Sequence, residues 1–167
     1  FLRLLELIKK RLMIKASVLV DNKSWKKYIS NPNIFLKRKL KKTEKKIGIF
    51  KKNKLSFTLL LSGDSQIKKL NKKFRKKNKI TDVLSFPFHE KIILYKLINK
   101  NNNNIYLGDI IINLSEIIKQ SKKQNFLIIF NKLWIHGLTH LLGYQHKSNK
   151  DFLAMQRLEN RIIKSIQ

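Results

Sequence analysis

The sequence predicts an α+β sandwich, a small sheet of about four strands packed with about five helices. Three observations carry that reading. Short β-branched runs bounded by turn residues recur at 11–20, 54–62, 81–88 and 105–113. Amphipathic helical patterns stand between the early runs and follow the last one. The stretch Phe126–Leu142 (FLIIFNKLWIHGLTHLL) is apolar nearly all round, as a central buried helix should be.

Taken in order, Arg11–Val20 (RLMIKASVLV) alternates partly and reads as the first strand. Asp21 or Asn22 is placed to cap a helix in which Trp25, Tyr28 and Ile29 fall at helical spacing as core contacts. Pro32 interrupts it, and Ile34–Lys46 resumes a helical, very basic pattern whose Lys37-Arg38-Lys39 and Lys41-Lys42 read as a solvated face ahead of part of a phosphate-tracking surface. Lys54–Ser62 (KLSFTLLLS) is the second strand. Ser62-Gly63-Asp64 is a turn, with Asp64 or Ser65 as the next cap and Ile67, Leu70 and Phe74 as a buried stripe. That helix runs out in a dense basic segment, Phe74-Arg75-Lys76-Lys77-Asn78-Lys79.

Thr81–Phe88 is a short strand, and Pro87 marks it as an edge. Residues 90–104 are poorly patterned and close in an Asn run; an inserted loop is expected, with KIILYKLI the part able to hold local structure. Ile105–Asn113 (IYLGDIIIN) is a strand in which Gly108 predicts a bulge or a close backbone approach. Ser115 opens a helix to about Lys123. After the apolar helix, Ser148 or Asn149 caps a last one, with Phe152, Met155, Leu158, Ile162 and Ile166 as its core stripe. No repeat, glycine-rich phosphate loop or second domain is visible. Residues 1–167 are therefore expected to form one domain, with 54–163 as its motif-bearing core.

The 167 residues are 43% hydrophobic, enough for a real core and too much for a disordered polycation. The absence of cysteine excludes a disulfide framework and a thiolate metal site, and is compatible with a reducing cytoplasm. No stretch reaches the ~20 apolar residues of a membrane span. Phe1–Ile14 is apolar and basic but broken by charge, without a signal-peptide core. The net charge of +28 points to a polyanionic partner, nucleic acid ahead of anionic membrane. Lys, Asn and Ile dominate, as AT-rich coding would produce, so part of the lysine excess is compositional.

The chemistry concentrates in His136-Gly137-Leu138-Thr139-His140-Leu141-Leu142-Gly143-Tyr144-Gln145-His146, which holds three of the four histidines. His136 and His140, four apart, share one helix face. Gly143 is the residue expected where the helix stops, because glycine tolerates the left-handed cap. The chain can then turn back and bring His146 to the other two. Three imidazoles from a helix and its following loop make an open zinc site, one Zn2+ per chain, with the fourth position left for water. The extended zinc-protease motif has the same spacing with a glutamate after its first histidine as general base. Here that position is Gly137, which argues strongly against a peptidase.

This motif resembles the H-G-x-L-H-L-x-G-Y-D-H of the YbeY family, the bacterial rRNA maturation factors. Asn71-Lys72-Lys73-Phe74-Arg75 is similar to the family's L-N-x-x-Y/F-R, Thr81–Pro87 to its T-D-V-L-S-F-P, and Leu107-Gly108-Asp109-Ile110 to its L-G-D-I. Met155 and Glu159 match its terminal M-x-x-x-E. Three positions depart from the pattern: Gln145 replaces the usual Asp, Thr139 the usual Leu, and Lys76 a frequent Gly. Gln145 can hydrogen-bond a ligand or water but cannot accept a proton at neutral pH. Thr139 can bond back to its own helix.

The resemblance implies a cytoplasmic, zinc-dependent single-strand endoribonuclease of small-subunit rRNA 3′-end maturation and ribosome quality control. His136, His140 and His146 are then the metal ligands and Arg75 the catalytic cation. The metal activates water for attack on phosphorus, or for deprotonating a 2′-OH. Arg75 meets the charge of the pentacoordinate phosphate with its planar fork. Implied partners are small-subunit rRNA, ribosomal proteins and an assembly GTPase, with no membrane. Asp82, Ser85 and Asp109 are expected to be structural around the cleft, His89 to be a surface residue, and Phe86 and Phe88 to pack in the core, ahead of the alternative that one of them stacks on a base. The alternative is a ribosome-associated RNA-binding assembly factor whose metal is structural.

Overall fold

The computed structural model describes residues 13–100 and 104–167. Segment 1–12, which holds the apolar basic start and the first two residues of the expected strand, lies outside the described residues, as do 101–103 of the Asn run. The strands are β1 (Ile14–Val20), β2 (Leu55–Ser62), β3 (Val83–Pro87) and β4 (Ile105–Asn113). The helices are α1 (Pro32–Lys46), the single turn α2 (Ile49–Lys52), α3 (Asp64–Arg75), α4 (Lys91–Asn99), α5 (Leu114–Ser121), α6 (Phe126–Leu141) and α7 (Asn149–Ile166). The expected α+β sandwich is found, with a short 3₁₀ helix at Lys23–Lys27 where an α-helix was expected.

The sheet order is β1-β2-β4-β3. β1, β2 and β4 run parallel, and β3 closes the edge antiparallel to β4. Pro87, with no N–H to give a ladder, sits in that edge strand, where one side has no partner. It faces Gly108, whose φ is +129°. A Cβ there would lie 2.1 Å from the Phe86 carbonyl oxygen, so only glycine lets β3 approach. The β2–β4 register shifts beside it, between Ser56 and Thr58.

Side chains alternate across the strands. On β4, Ile110 and Ile112 face the main core while Ile111 faces the opposite side. The main side is covered by α1 over β1 and by α6 over β3 and β4, with α7 laid across both helices. Helix α3 covers part of the other side, where Ile67, Leu84 and Ile111 form a small second cluster. Most of the sheet's apolar surface therefore faces α6, the helix that carries the histidines.

Four asparagines cap the helices through side-chain oxygens: Asn22, Asn31, Asn113 and Asn125. Ser148 caps α7. Helix α5 starts at Leu114, one residue before the expected Ser115. Neither Asp64 nor Ser65 caps α3, whose N-cap is Gly63. Asp64 turns inward instead and accepts from Asn113 Nδ2 at 2.7 Å and from the Ser115 hydroxyl.

Within the expected inserted loop, the KIILYKLI stretch holds structure as expected: Lys91–Asn99 form α4. Only Leu94 is fully buried there while Ile92 and Ile93 stay exposed, so the periodicity is hidden by apolar residues on the wet face. Phe74 and Phe152, expected in buried stripes, are 56% and 50% exposed. The α3 stripe is met by a narrow sheet patch that reaches only Ile67 and Leu70, and α7 buries Met155, Leu158, Ile162 and Ile166 without its first turn.

The hydrogen bonds from Ser115, then Asn113, hold the Asp64 carboxyl below its ordinary value. A carboxylate depressed in the folded state stabilises fully above its unfolded pKa, about 3.9, and loses that contribution as pH falls through the lower folded value. Asp64→Asn is expected to melt below wild type at neutral pH. The gap should close under strongly acid conditions in a pH series of thermal melts.

Candidate metal centre

Helix α6 reaches the sheet at Gly137. A Cβ on Gly137 would meet Ile110 side-chain atoms at 2.7, 3.0 and 3.1 Å. The helix thus rests directly on the Ile110 side chain of β4, with no side chain of its own at the contact. His136 and His140, on another face, project into a cleft of about 860 Å³. A glutamate at position 137 would point into the core and not toward the histidines. The protease-like reading fails on geometry as well as on residue type.

The helix ends as the spacing predicted. Gly143 adopts φ +85°. Its N–H donates to the His140 carbonyl at 2.9 Å, and the Tyr144 N–H reaches back to the Thr139 carbonyl at 3.1 Å. This double reversal satisfies the last carbonyls of α6. It also aims the Tyr144 carbonyl at His140 Nδ1, 3.0 Å away, and carries His146 back over the site.

The three imidazoles converge, with one nitrogen of each lying within 4.8 Å of the others. His136 Nε2 and His140 Nε2 are 3.1 Å apart. Two nitrogens bound tetrahedrally to one zinc at 2.0–2.1 Å stand about 3.3 Å apart, so the pair is spaced for a shared ion. The Nδ1 atoms are already engaged. His136 Nδ1 lies 2.8 Å from Glu159 Oε1, and His140 Nδ1 faces the Tyr144 carbonyl. A carbonyl accepts only, so His140 carries its proton on Nδ1 and leaves Nε2 as a bare lone pair. The Glu159 carboxylate sets the same tautomer in His136. Burial, then the charge of His136, pushes the His140 pKa down, with Arg75 adding a small share. His140 is therefore neutral near pH 7, as a ligand must be.

Glu159 is the functional residue that sequence reasoning left without a role. It lies on α7, 23 residues from its partner. Thr139 Oγ1, buried, donates to the His136 carbonyl at 2.7 Å and lies 3.3 Å from the same carboxylate oxygen. The back-bonding expected of Thr139 is present. Gln145 lines the cleft and is exposed; the orienting contacts come from Glu159 and Tyr144 instead.

Arg75 lies at the exposed C-terminal end of α3 and lines the same cleft as His136, His140 and His146. Asp82 also borders it, but its carboxylate accepts from the Val83 N–H at 2.8 Å and shapes the strand entry. Ser85 faces the cleft from β3. Asp109 does not; it points to the other side of the sheet and accepts from the Tyr106 hydroxyl at 2.6 Å. His89, expected on the surface, is half-buried on the cleft wall. Phe88, expected in the core, is 67% exposed at the cleft rim.

An α+β sandwich that gathers three imidazoles on the floor of an open cleft defines a class of protein with a donor set able to hold a metal ion, ligands on one side and open space on the other. Comparison with known proteins makes the class particular. The family model described as endoribonuclease YbeY matches residues 19–167. The endoribonuclease YbeY of Pelagibacter ubique is 42% identical over 158 residues, 93% of this chain and 97% of that protein. That of Buchnera aphidicola from Acyrthosiphon pisum is 42% identical over 140 residues, 82% and 84% of the two chains. A solution structure of a Thermotoga maritima protein shares the fold, with a TM-score of 0.51 and 24% identity over 90% of this chain and 89% of that one. The chain belongs to the YbeY family.

Two substitutions separate support from contact. Gly137→Ala is expected to destabilise the fold by about 1–3 kcal/mol through overpacking against Ile110, measured by denaturant melts. Glu159→Gln should leave the fold intact and weaken zinc binding about 10–100-fold in a competition titration, because His136 loses its anionic partner.

Proposed function

We propose that this chain is a zinc-dependent single-strand endoribonuclease acting in small-subunit rRNA 3′-end maturation and ribosome quality control, in the cytoplasm. The observation that carries the proposal is the pair of Nε2 lone pairs, 3.1 Å apart, opening into a cleft that Arg75 also lines. The family match supports the RNA substrate. Among the described residues no helix is long and apolar enough to cross a membrane.

The donor set suits zinc: three imidazoles, two with their remote nitrogens anchored, and no thiolate. Zinc supplies Lewis acidity and a water acidified to near neutral pH. The protein supplies the rest. His136, His140 and His146 would hold the ion on the cleft floor, and Glu159 and the Tyr144 carbonyl keep two of those rings in one tautomer. Arg75 offers its planar fork to two non-bridging phosphate oxygens and offsets the charge that grows on them as the bond to the leaving oxygen breaks. Exposed lysines beyond it, Lys72, Lys73, Lys76, Lys77 and Lys79, draw in the RNA backbone. Gly137 offers no carboxylate, so this position supplies no protease-type base.

The test compares wild type, His140→Ala and Arg75→Ala for zinc content, RNA binding and cleavage of single-stranded RNA. Wild type should carry about one zinc, as a single three-ligand site requires, and His140→Ala should lose both zinc and cleavage. Arg75→Ala should keep zinc and RNA binding while cleavage drops about 10²–10³-fold. Zinc-loaded wild type that binds RNA and never cuts it would make the chain a ribosome-associated binding factor with a structural metal. Equal cleavage in wild type and Arg75→Ala would remove Arg75 from the mechanism.

A further inference from the structure

Phe88 belongs to two surfaces. It lines the metal cleft, and its ring meets Tyr106 edge-on, centroids 5.5 Å apart. Strand β3 divides these surfaces: Val83 and Ser85 face the cleft, while Leu84 and Phe86 face the side of the sheet that α3 covers only in part. Phe86 in turn meets Phe74 of α3 edge-on at 5.2 Å. Phe88 follows β3 directly, two residues beyond Phe86. The pairs Phe74–Phe86 and Phe88–Tyr106 thus make an aromatic ridge in two parts along the edge strand, with Phe88 at the cleft mouth.

Two of these rings are largely bare, Phe88 at 67% and Phe74 at 56% exposure. Single exposed apolar residues need no explanation, but contiguous ones mark a binding surface. The ridge is held in place. The Tyr106 hydroxyl donates to Asp109 at 2.6 Å and lies 2.7 Å from the Thr58 hydroxyl. Asn71, buried, donates from Nδ2 to the Lys79 carbonyl at 2.8 Å and so pins the basic loop beside Phe74. Charge supplies the identity of the occupant. Lys73 Nζ stands 5.2 Å from the Phe74 ring centre, and Lys72, Lys76, Lys77 and Lys79 are exposed around it. Bare aromatic faces next to a row of cations bind unstacked bases on a phosphate backbone.

We propose that the ridge is a stacking track for the single-stranded RNA that occupies the cleft, with Phe88 at the entrance and Phe74 beyond it. The inference rests on the RNA reading above and deepens it. Every base has a π-face, so the track is indifferent to sequence. Bases inside a duplex are already stacked on each other and cannot use it. The track therefore selects single strands before any chemistry occurs.

The experiment measures binding of a fluorescent single-stranded RNA of about ten nucleotides, and of a duplex of equal length, to the purified chain. Phe88→Ala and Phe74→Ala should each weaken single-strand binding about tenfold, with duplex binding and the salt slope unchanged. Phe152→Ala, an exposed aromatic on α7, should change nothing. Phe88→Trp should keep wild-type affinity, with its fluorescence quenched on binding. Wild type that binds single strands with Phe88→Ala and Phe74→Ala equal to it overturns the track and leaves the nuclease reading standing. Wild type with no affinity for single strands overturns both. Concentration-dependent dimerisation abolished by Phe88→Ala, with RNA affinity intact, makes the ridge an interface between copies and also overturns the track.

Discussion

Helix α6 lies on β4 at a height set by Gly137, where Ile110 fills the space a side chain would need. Everything at the centre follows from that contact. The close approach fixes the rotation of α6, which sends His136 and His140 into the cleft and seals Leu138 and Ile135 in the core. The left-handed turn at Gly143 then brings back His146 and the Tyr144 carbonyl from the same helix end. One glycine sets where the site stands and the other sets which way the chain leaves it.

The electrostatics are lopsided by design of the acids more than of the bases. The chain has 38 Lys and Arg against 10 Asp and Glu. Among the described lysines and arginines only Lys119 pairs with an Asp or Glu carboxylate, that of Glu116. The other acids mostly hold the architecture: Glu44 accepts from the Met13 N–H, Asp64 from Asn113 and Ser115, Asp82 from the Val83 N–H, and Glu159 orients His136. Lysines are consequently left free to face a polyanion, and exposed ion pairs would have added little stability in any case. Asparagine, abundant for the same compositional reason as lysine, is used where its side-chain oxygen is worth most, at four helix N-termini.

Much of the fold could be read from local pattern. The four strands, the edge position of Pro87, the special backbone at Gly108 and the cap at Gly143 are each dictated within a few residues. The convergence of the three histidines was legible for the same reason, since all lie within one helix and its turn. What escaped depends on distance in space. The helical character of α4 hid because Ile92 and Ile93 face solvent, which blurs the period. The role of Glu159 needed α7 to be docked beside α6, which no spacing along the chain announces. Phe74 and Phe88 were read as core because aromatics usually are, and only the limited reach of the sheet's second side leaves them bare.

Helix α7 touches the site twice: its Glu159 holds His136, and its first residue follows closely after His146. Its far end is tied to α1, where the Ser165 hydroxyl meets Thr43 and Lys39 Nζ reaches the Ile166 carbonyl. Residues more than 120 apart in sequence must therefore meet before α7 is fully docked and Glu159 holds the His136 imidazole. Such non-local contacts form late, because the chain between them must be ordered first. The anchoring of His136, unlike the local convergence of the three rings, thus waits on the docking of α7. A half-folded chain presents abundant positive charge but no fully anchored site, and competence arrives only when the whole body has closed.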